Sequence, residues 1–225
     1  MVPARWGASR LPGKPLAAIG DLPLVEHVRR RALLVRGVER VLVATDDERI
    51  AEVVRAFGGE AVLTGTALSG THRCRLALDA LGDWPDVVVN VQGDQPLLEP
   101  AHVEAAVAAL TGPIATVCAP LAGDPGDPHR VKVVCDPDGR ALYFSRAPIP
   151  YGGPWLQHGG IYAFTADGLR AATGAVRSPL CLAEDLEQVA WLEAGLAIAV
   201  ARVDGIPRGV DTPDQLAEAR RLITI

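Results

Sequence analysis

Two continuous β-branched runs, set between segments of helical periodicity, constrain the fold of this chain most strongly. The runs are Arg40–Thr45 (RVLVAT) and Asp86–Gln92 (DVVVNVQ), and uninterrupted runs of this kind are typical of strands buried on both faces. Apolar residues recur at helical spacing over Leu24–Val35, Asp47–Phe57, His72–Leu81 and Pro100–Leu110. This alternation predicts an α/β protein with a mostly parallel central sheet and helices on both faces.

The second half of the chain changes character. Val131–Ser145 has two strand-like runs around an Asp-Pro-Asp-Gly turn, which predicts an antiparallel hairpin. Further along, the pattern predicts a strand, a helix, a strand and a closing helix over Gly159–Phe164, Leu180–Ala194, Ala197–Arg202 and Thr212–Leu222. We expect one domain over 1–225, with a small antiparallel substrate or dimer subregion over about 121–165. Only Met1–Pro3 remains for a first strand, so that strand is very short or the start codon has been placed late.

Composition excludes several classes of protein. The 225 residues are 49% hydrophobic and 22% charged, with a net charge of −5. This balance supports a packed core and argues against disorder and against broad binding of nucleic acid or membrane surfaces. No apolar run or leader pattern predicts a membrane span or a secretory signal. The four cysteines lack metal-ligand spacing and indicate reduced thiols in a cytoplasm.

A cationic loop follows the first strand. Pro3–Leu16 (PARWGASRLPGKPL) carries Arg5, Arg10 and Lys14 among glycines and Ser9. Glycine lets backbone N–H groups approach phosphates, and the cations neutralise charge on a leaving pyrophosphate. The loop lacks the P-loop pattern GxxxxGK[ST]. Its composition favours a polyphosphate site, and the alternative is a solvated surface loop.

Two carboxylates follow predicted strands. Asp94 lies in VQGDQP directly after a buried strand, and Asp211 lies in RGVDTP before the last helix. Open α/β sheets bind ligands at the carboxyl ends of their strands, and Mg²⁺ takes one or two carboxylates together with substrate phosphates. Alternatively, Asp94 belongs to a simple turn, and Asp211 competes with Thr212 to cap the helix.

Other polar residues are candidates for binding. The segment Ser69–Arg73 (SGTHR) opens a helix and suits either a nucleotide contact or a Ser/Thr cap. Four polar residues lie within apolar elements of the second half and fit either a hydroxyl-rich substrate or ordinary core hydrogen bonds: His158, Tyr162, Glu187 and Gln188. No histidine pair suits zinc, and no GxSxG supports a serine hydrolase.

Together these motifs resemble one family, the CMP-KDO synthetases (3-deoxy-manno-octulosonate cytidylyltransferases). The motifs that carry the resemblance are PARWGASRLPGKPL, VATDDERIAEVV, SGTHR, VNVQGDQP, VKVVCDPDGRALYFSRAPIP, HGGIYAF, SPLCLAEDLEQ and RGVDTPDQL, in this order. The resemblance covers Pro3 to Leu222. It implies a Rossmann-like nucleotidyltransferase fold, a homodimer, a cytoplasmic location and a reaction in which CTP and KDO give CMP-KDO and pyrophosphate for lipopolysaccharide biosynthesis.

The resemblance also implies roles for individual residues. Arg5, Ser9, Arg10 and Lys14 would serve the CTP phosphates, with Arg10, Lys14, Asp94 and Asp211 as the catalytic set. Asp94 and Asp211 would hold Mg²⁺. The nucleotide would also contact Ser69, Gly70, Thr71 and Arg73, and the sugar acid would contact Gln92, Arg146, His158, Tyr162, Glu187 and Gln188.

The sequence departs from the family at five places. His72 replaces the glutamate of SGTER, Cys181 replaces the glutamate of SPLE, and the segment Tyr151–Gln157 is short. The usual NPNxVKVV appears as DPHRVKVV, and the first strand is truncated. These departures leave three readings besides KDO transfer: CMP transfer to another acid (amino-KDO, another ulosonic acid or a phosphonate), a non-catalytic nucleotide-binding homologue, and a glycosyltransferase of related fold.

Overall fold

The computed structural model describes residues 1–7 and 11–223 and divides into two compact units. The first comprises 1–84, 90–101 and 207–225, and the second comprises 85–89 and 102–206. The strands are β1 Val2–Ala4, β2 Ala18–Ile19, β3 Leu22–Pro23, β4 Leu42–Thr45, β5 Glu60–Leu63, β6 Val87–Asn90, β7 Ile114–Pro120, β8 Lys132–Cys135, β9 Ala141–Ser145, β10 Leu156–Thr165 and β11 Ile198–Arg202. The helices are α1 Leu24–Leu33, α2 Glu48–Ala56, α3 Gly70–Leu81, α4 Pro100–Ala108, α5 Ala166–Gly174, α6 Pro179–Glu184, α7 Glu187–Glu193 and α8 Pro213–Ile223.

A parallel sheet of order β1-β4-β5 forms the centre of the first unit. The three residues of β1 are buried and pair with β4, Val2 opposite Val43 and Ala4 opposite Thr45. The Val91 amide donates to the Met1 carbonyl at 3.0 Å, so the chain after β6 runs beside β1. The first strand is therefore short, as predicted, yet it has hydrogen-bonding neighbours on both sides.

The second unit contains a mixed sheet of order β11-β7-β10-β8-β9, to which β6 is joined through β10. The pair β11-β7 is parallel, whereas β10-β7, β10-β8 and β8-β9 are antiparallel. The predicted hairpin is present, and Gly139 adopts the left-handed backbone (φ 80°) that its turn requires. The α/β class is confirmed, with antiparallel pairing that extends beyond the predicted subregion. The single-domain assignment stays a prediction.

One predicted helix is wrong. The pattern predicted a continuous helix over Leu180–Ala194, but the chain forms α6 and α7 with a break at Asp185. Asp185 has φ 49°, a left-handed conformation that ends α6 because it turns the backbone away from the helical path. Helical periodicity spans both segments because both bury an apolar stripe.

Candidate active site

Asp94 follows a point where two backbones touch. A Cβ built on Gly93 would lie 2.4 Å from the Pro3 carbonyl oxygen, a distance that no side chain tolerates. Glycine is therefore required where the chain leaving β6 passes β1. This close approach places Asp94 at the carboxyl end of the parallel sheet of the first unit.

The loop that carries Asp211 runs beside Asp94. The Val210 amide donates to the Asp94 carbonyl at 2.8 Å, and a Cβ on Gly209 would be 3.4 Å from Asp94 Oδ1. Thr212 Oγ1 accepts from the Gln215 amide, while Gln215 Oε1 accepts from the amides of Asp211 (2.7 Å) and Thr212 (3.1 Å). This reciprocal cap assigns the capping role to Thr212.

Lys14 joins the two carboxylates. Its Nζ donates to Asp94 Oδ2 at 2.8 Å and to Asp211 Oδ1 at 3.0 Å. The lysine side chain is 14% exposed and the two aspartates 28% and 37% exposed. Burial disfavours the ammonium charge, but Asp94 and Asp211 outweigh that effect and raise the pKa of Lys14 above its ordinary value. The cluster Lys14–Asp94–Asp211, called the strand-end cluster below, is therefore fully charged at neutral pH.

Trp6 anchors the loop that delivers Lys14. Its amide donates to Asp46 Oδ1 at 3.1 Å, and the Arg49 guanidinium lies 3.4 Å from the centroid of its ring. Gly13, with φ 68°, packs its backbone against the same ring and begins the 3-10 turn Lys14–Leu16. A cation–π contact and a tight turn thus hold the lysine in place.

The strand-end cluster has the donor set of a magnesium site. One ammonium contacts oxygens of both carboxylates, so these oxygens lie within reach of a single cation. Within residues 1–7 and 11–223, no group of three His, Cys, Asp or Glu side chains could hold a metal ion. Two carboxylates are nevertheless enough for Mg²⁺, which keeps several waters and takes phosphate oxygens from its substrate. Asp94 and Asp211 fit the ion.

The remaining predicted loop residues have separate outcomes. Arg5 follows β1 and is exposed. Ser9 and Arg10 lie outside the described residues. The loop contribution to phosphate binding therefore stays a prediction for all three.

The residues of Ser69–Arg73 all lie at the start of α3, where they hold the first unit together. Ser69 Oγ caps α3 by accepting from the His72 amide at 3.1 Å, and the Asn90 amide donates to Thr71 Oγ1 at 3.1 Å. Arg73 is 4% exposed and donates to Asp46 Oδ2 at 2.8 Å and Thr64 Oγ1 at 2.7 Å. These contacts are structural, and nucleotide binding by this segment stays a prediction.

Gln92 lies against the same helix start. A Cβ on Gly70 would be 3.7 Å from Gln92 Oε1 and 3.2 Å from the Pro3 ring. The structure thus brings together Gly70, predicted for the nucleotide, and Gln92, predicted for the sugar.

A second set of predicted residues gathers in the second unit around His158 and Tyr162. In a regular strand, residues four apart share a face but lie roughly 13 Å apart. The register of β10 against β7 shifts between these two residues, and Gly160 there has φ 68°. The resulting β-bulge brings the two ring centroids to 5.2 Å.

Aromatic rings surround this pair. Phe144 meets His158 edge-on at 5.1 Å, and Trp191 meets Tyr162 edge-on at 5.0 Å. Burial lowers the pKa of His158 to about 3, and burial with the nearby Glu187 charge raises the pKa of Tyr162 well above its ordinary value. These residues, called the aromatic cluster below (Phe144, His158, Tyr162, Phe164 and Trp191), therefore hold a neutral imidazole and a protonated phenol at neutral pH.

The other predicted sugar-pocket residues of this unit differ in their engagement. Glu187 lies close enough to Tyr162 to influence its pKa, and Gln188 is buried next to it on α7. The Arg146 guanidinium donates to the carbonyls of Pro128 (2.9 Å), Glu184 (2.9 Å) and Asp185 (3.1 Å). In this structure Arg146 holds backbone together, and substrate binding by it stays a prediction.

Comparisons with known proteins match this arrangement over nearly the whole chain. A family model described as cytidylyltransferase matches residues 1–198. The 3-deoxy-manno-octulosonate cytidylyltransferases of Anaeromyxobacter sp. (strain K) and Anaeromyxobacter dehalogenans (strain 2CP-C) are 50% and 49% identical over 99% of this chain and 96% of their own length. The mitochondrial protein of that name from Arabidopsis thaliana is 40% identical over 99% of this chain and 82% of its own.

A solved structure agrees. It is titled as CMP:2-keto-3-deoxy-manno-octonic acid synthetase complexed with CTP, and it matches with a TM-score of 0.93 and 40% identity over 99% of this chain and 96% of its own. The chain belongs to the 3-deoxy-manno-octulosonate cytidylyltransferase family. It is a nucleotidyltransferase, and the resemblance drawn from the sequence motifs is confirmed.

Two departures from the family motifs have local explanations. His72 Nδ1 accepts from the Leu68 amide at 3.1 Å, so it completes the cap of α3 in the way a glutamate at that position of a capping box would. Cys181 is fully buried, and its thiol donates to the Leu186 carbonyl at 3.3 Å. A buried thiol there stabilises the junction of α6 and α7.

Sequence reasoning missed two polar residues of the second unit. Glu184 accepts from Tyr143 Oη (3.2 Å), Ser145 Oγ (2.7 Å) and the Arg146 amide (3.0 Å). Thr116 bonds His158. The signal for Thr116 was a hydroxyl inside the apolar run of β7, IATVCAP, because a buried polar side chain in a strand needs a partner.

The cysteines also hold a feature that their spacing concealed. All four are free, as expected for reduced thiols, but Cys118 and Cys135 share a hydrogen bond. That bond lowers the pKa of the Cys118 thiol and raises the pKa of the Cys135 thiol. Strand pairing unites them across the second unit.

The structure has no helix within its described residues that is both long and apolar enough to cross a membrane.

Proposed function

We propose that this chain transfers CMP from CTP to the anomeric hydroxyl of KDO, releasing pyrophosphate and forming CMP-KDO. The observation that carries the proposal is the strand-end cluster, in which Lys14 Nζ lies 2.8 and 3.0 Å from the carboxylates of Asp94 and Asp211. Relatives named 3-deoxy-manno-octulosonate cytidylyltransferase at up to 50% identity support the choice of both substrates.

Asp94 and Asp211 would hold Mg²⁺ in this reaction. When bound, the ion supplies positive charge to the phosphate oxygens of CTP. Lys14 would then turn from the aspartates to the phosphates, since its ammonium is a mobile point charge on a flexible stem. Arg5, Ser9 and Arg10 would add donors from the same loop.

The chain's own task is positioning and neutralisation. The sugar hydroxyl attacks the α-phosphate in line as pyrophosphate leaves, and Lys14 and Arg10 stabilise the charge that develops. Ser69, Gly70, Thr71 and Arg73 would orient the nucleotide. Gln92, Arg146, His158, Tyr162, Glu187 and Gln188 would orient the sugar acid. No covalent enzyme intermediate is needed.

The cellular setting follows from the same proposal. We propose that the enzyme acts as a homodimer in the cytoplasm and feeds lipopolysaccharide biosynthesis, without nucleic-acid or membrane partners. The exposed apolar residues Leu142 and Val176 of the second unit, 58% and 83% exposed, support an additional interface.

Pyrophosphate release tests the proposal. The assay compares CTP, UTP, GTP and ATP, each with and without KDO and with and without Mg²⁺. We expect release only when CTP, KDO and Mg²⁺ are all present. Release without Mg²⁺ would contradict the metal assignment.

The same assay separates the alternatives that the altered motifs raise. CTP binding without KDO-dependent release would redirect the search to amino-KDO and other ulosonic acids, which should then be supplied in turn. Failure to bind any nucleotide would identify a non-catalytic homologue and overturn the proposal.

A further inference from the structure

The Thr116 hydroxyl lies between two partners in the second unit. Its Oγ1 is 2.5 Å from the Ile161 carbonyl oxygen and 2.9 Å from His158 Nε2. All three groups are buried. The β-bulge of β10 creates this arrangement, because it brings the Ile161 carbonyl and the His158 ring to the same hydroxyl.

The count of protons at this hydroxyl decides the state of the imidazole. A carbonyl oxygen only accepts, so Thr116 must donate its single proton to Ile161. The hydroxyl then offers His158 only a lone pair. Nε2 must therefore carry the ring proton, because two lone pairs facing each other at 2.9 Å would repel. A neutral imidazole protonated at Nε2 has an acceptor at Nδ1.

Neighbouring rings fix the direction in which that acceptor points. Phe144 contacts the imidazole edge-on at 5.1 Å, and Tyr162 lies at 5.2 Å on a tilted plane. Rotation of the ring by half a turn would break the Thr116 bond. Within the described residues, His158 makes no hydrogen bond other than this one.

We infer that Thr116 is a positioning residue that holds His158 as the Nε2–H tautomer, so that Nδ1 accepts a hydrogen bond from a hydroxyl group of the acidic sugar. The inference rests on the proposed function for the identity of the sugar. It adds the direction of the hydrogen bond: His158 accepts, and the sugar donates. A site of this kind selects a hydroxyl over a group that only accepts.

Burial keeps the ring in the required charge state. Removal of His158 from water disfavours the imidazolium and lowers its pKa to about 3. At neutral pH the ring is therefore uncharged, and the Thr116 contact alone chooses between its two tautomers.

Nitrogen-15 NMR of histidine-labelled protein tests the tautomer directly, without turnover. We expect His158 in the wild type to show a protonated Nε2 and an unprotonated Nδ1, and KDO alone to shift the Nδ1 resonance. Thr116→Val, similar in shape but without the hydroxyl, should populate both tautomers. Thr116→Ser should restore the wild-type pattern. A protonated Nδ1 in the wild type, or an Nδ1 resonance unmoved by saturating KDO, would overturn the inference.

Kinetics supply a second readout. Thr116→Val should raise the KM for KDO about 10-fold and leave the KM for CTP unchanged, with recovery in Thr116→Ser. Thr173→Val is the matched control, because its hydroxyl also donates to backbone carbonyls (Leu169, 2.7 Å) but lies within α5. Equal rises of both KM values would mean general damage and reject a positioning role. If wild-type protein fails to turn over KDO yet shows the Nδ1 shift, the proposed function fails and the inference stands.

Discussion

The strand-end cluster and the aromatic cluster solve opposite electrostatic problems. In the first unit, Lys14, Asp94 and Asp211 keep their charges by bonding one another at 2.8 and 3.0 Å while partly exposed to water. In the second, His158 and Tyr162 are buried among rings and lose the ability to ionise near neutral pH. One region holds charge ready, and the other removes it.

The difference matches two kinds of substrate chemistry. Phosphoryl transfer develops charge on oxygens, which preformed cations stabilise. A hydroxylated sugar is bound through the direction of each hydrogen bond, and neutral groups of fixed orientation discriminate direction best. The predictions below alter one region at a time, from the largest expected effect to the smallest.

Loss of a carboxylate from the strand-end cluster should have the largest effect. Asp94→Asn and Asp211→Asn should each lower the rate of pyrophosphate release at least ~100-fold, because metal-held charge stabilisation is lost. Asp138→Asn, in the exposed hairpin turn, is the control and should retain activity. Near-wild-type turnover of either cluster variant would sink the metal assignment.

Removal of the cation should expose the repulsion that it masks. Lys14→Met leaves Asp94 and Asp211 facing each other, so we expect the free energy of unfolding without Mg²⁺ to fall by about 2 kcal/mol. Added Mg²⁺ should raise the Tm of this variant more than that of the wild type, as differential scanning fluorimetry would measure. An identical Mg²⁺ response in both proteins would mean that the ion binds elsewhere.

The neutral region should reveal itself in acid. The pKa of His158 is lowered from 6.5 to about 3, so between these values the unfolded chain binds a proton that the folded protein does not. Stability should therefore be unaffected by this group above pH 6.5 and fall as pH drops, by at most about 1.4 kcal/mol per pH unit. Denaturant unfolding of His158→Asn between pH 6.5 and 4 should show a shallower decline.

The exposed His129 provides the control for that experiment. His129→Gln should follow the wild-type pH dependence. A decline in His158→Asn as steep as in the wild type would assign the acid sensitivity to other groups.

The smallest effect is expected at the cap beside Asp211. Gln215→Ala removes the acceptor for the amides of Asp211 and Thr212 and should lower the free energy of unfolding by about 1 kcal/mol. Gln215→Glu keeps that acceptor and should stay close to the wild type. Equal losses in both variants would show that the cap does not depend on the oxygen.

Residues after the strands of the first unit were the most predictable part of the site. Asp94 and Asp211 were expected at one sheet edge because carboxyl ends of parallel strands meet there, and the structure brings both to Lys14. Whether Asp211 or Thr212 caps α8 was open, since either side chain suits the position, and only the Gln215 contacts decide it.

The second unit was less predictable for a physical reason. Polar residues on antiparallel strands meet according to register, and the bulge between His158 and Tyr162 is a property of pairing with β7. The break at Asp185 escaped notice for a similar reason, because a left-handed aspartate leaves the apolar periodicity of both flanking helices intact. The family motifs indicated which residues mattered there, without their partners.

Gly159 and Gly160 have one more consequence. A Cβ at Gly159 would lie 2.5 Å from Val117 Cγ2, and Gly160 needs φ 68°. The spacing of His158 and Tyr162 therefore depends on two positions that contribute no functional group. A search for determinants of specificity that scores only reactive or polar side chains would pass over both, although replacing a hydrogen with a methyl group there would move the reactive rings apart.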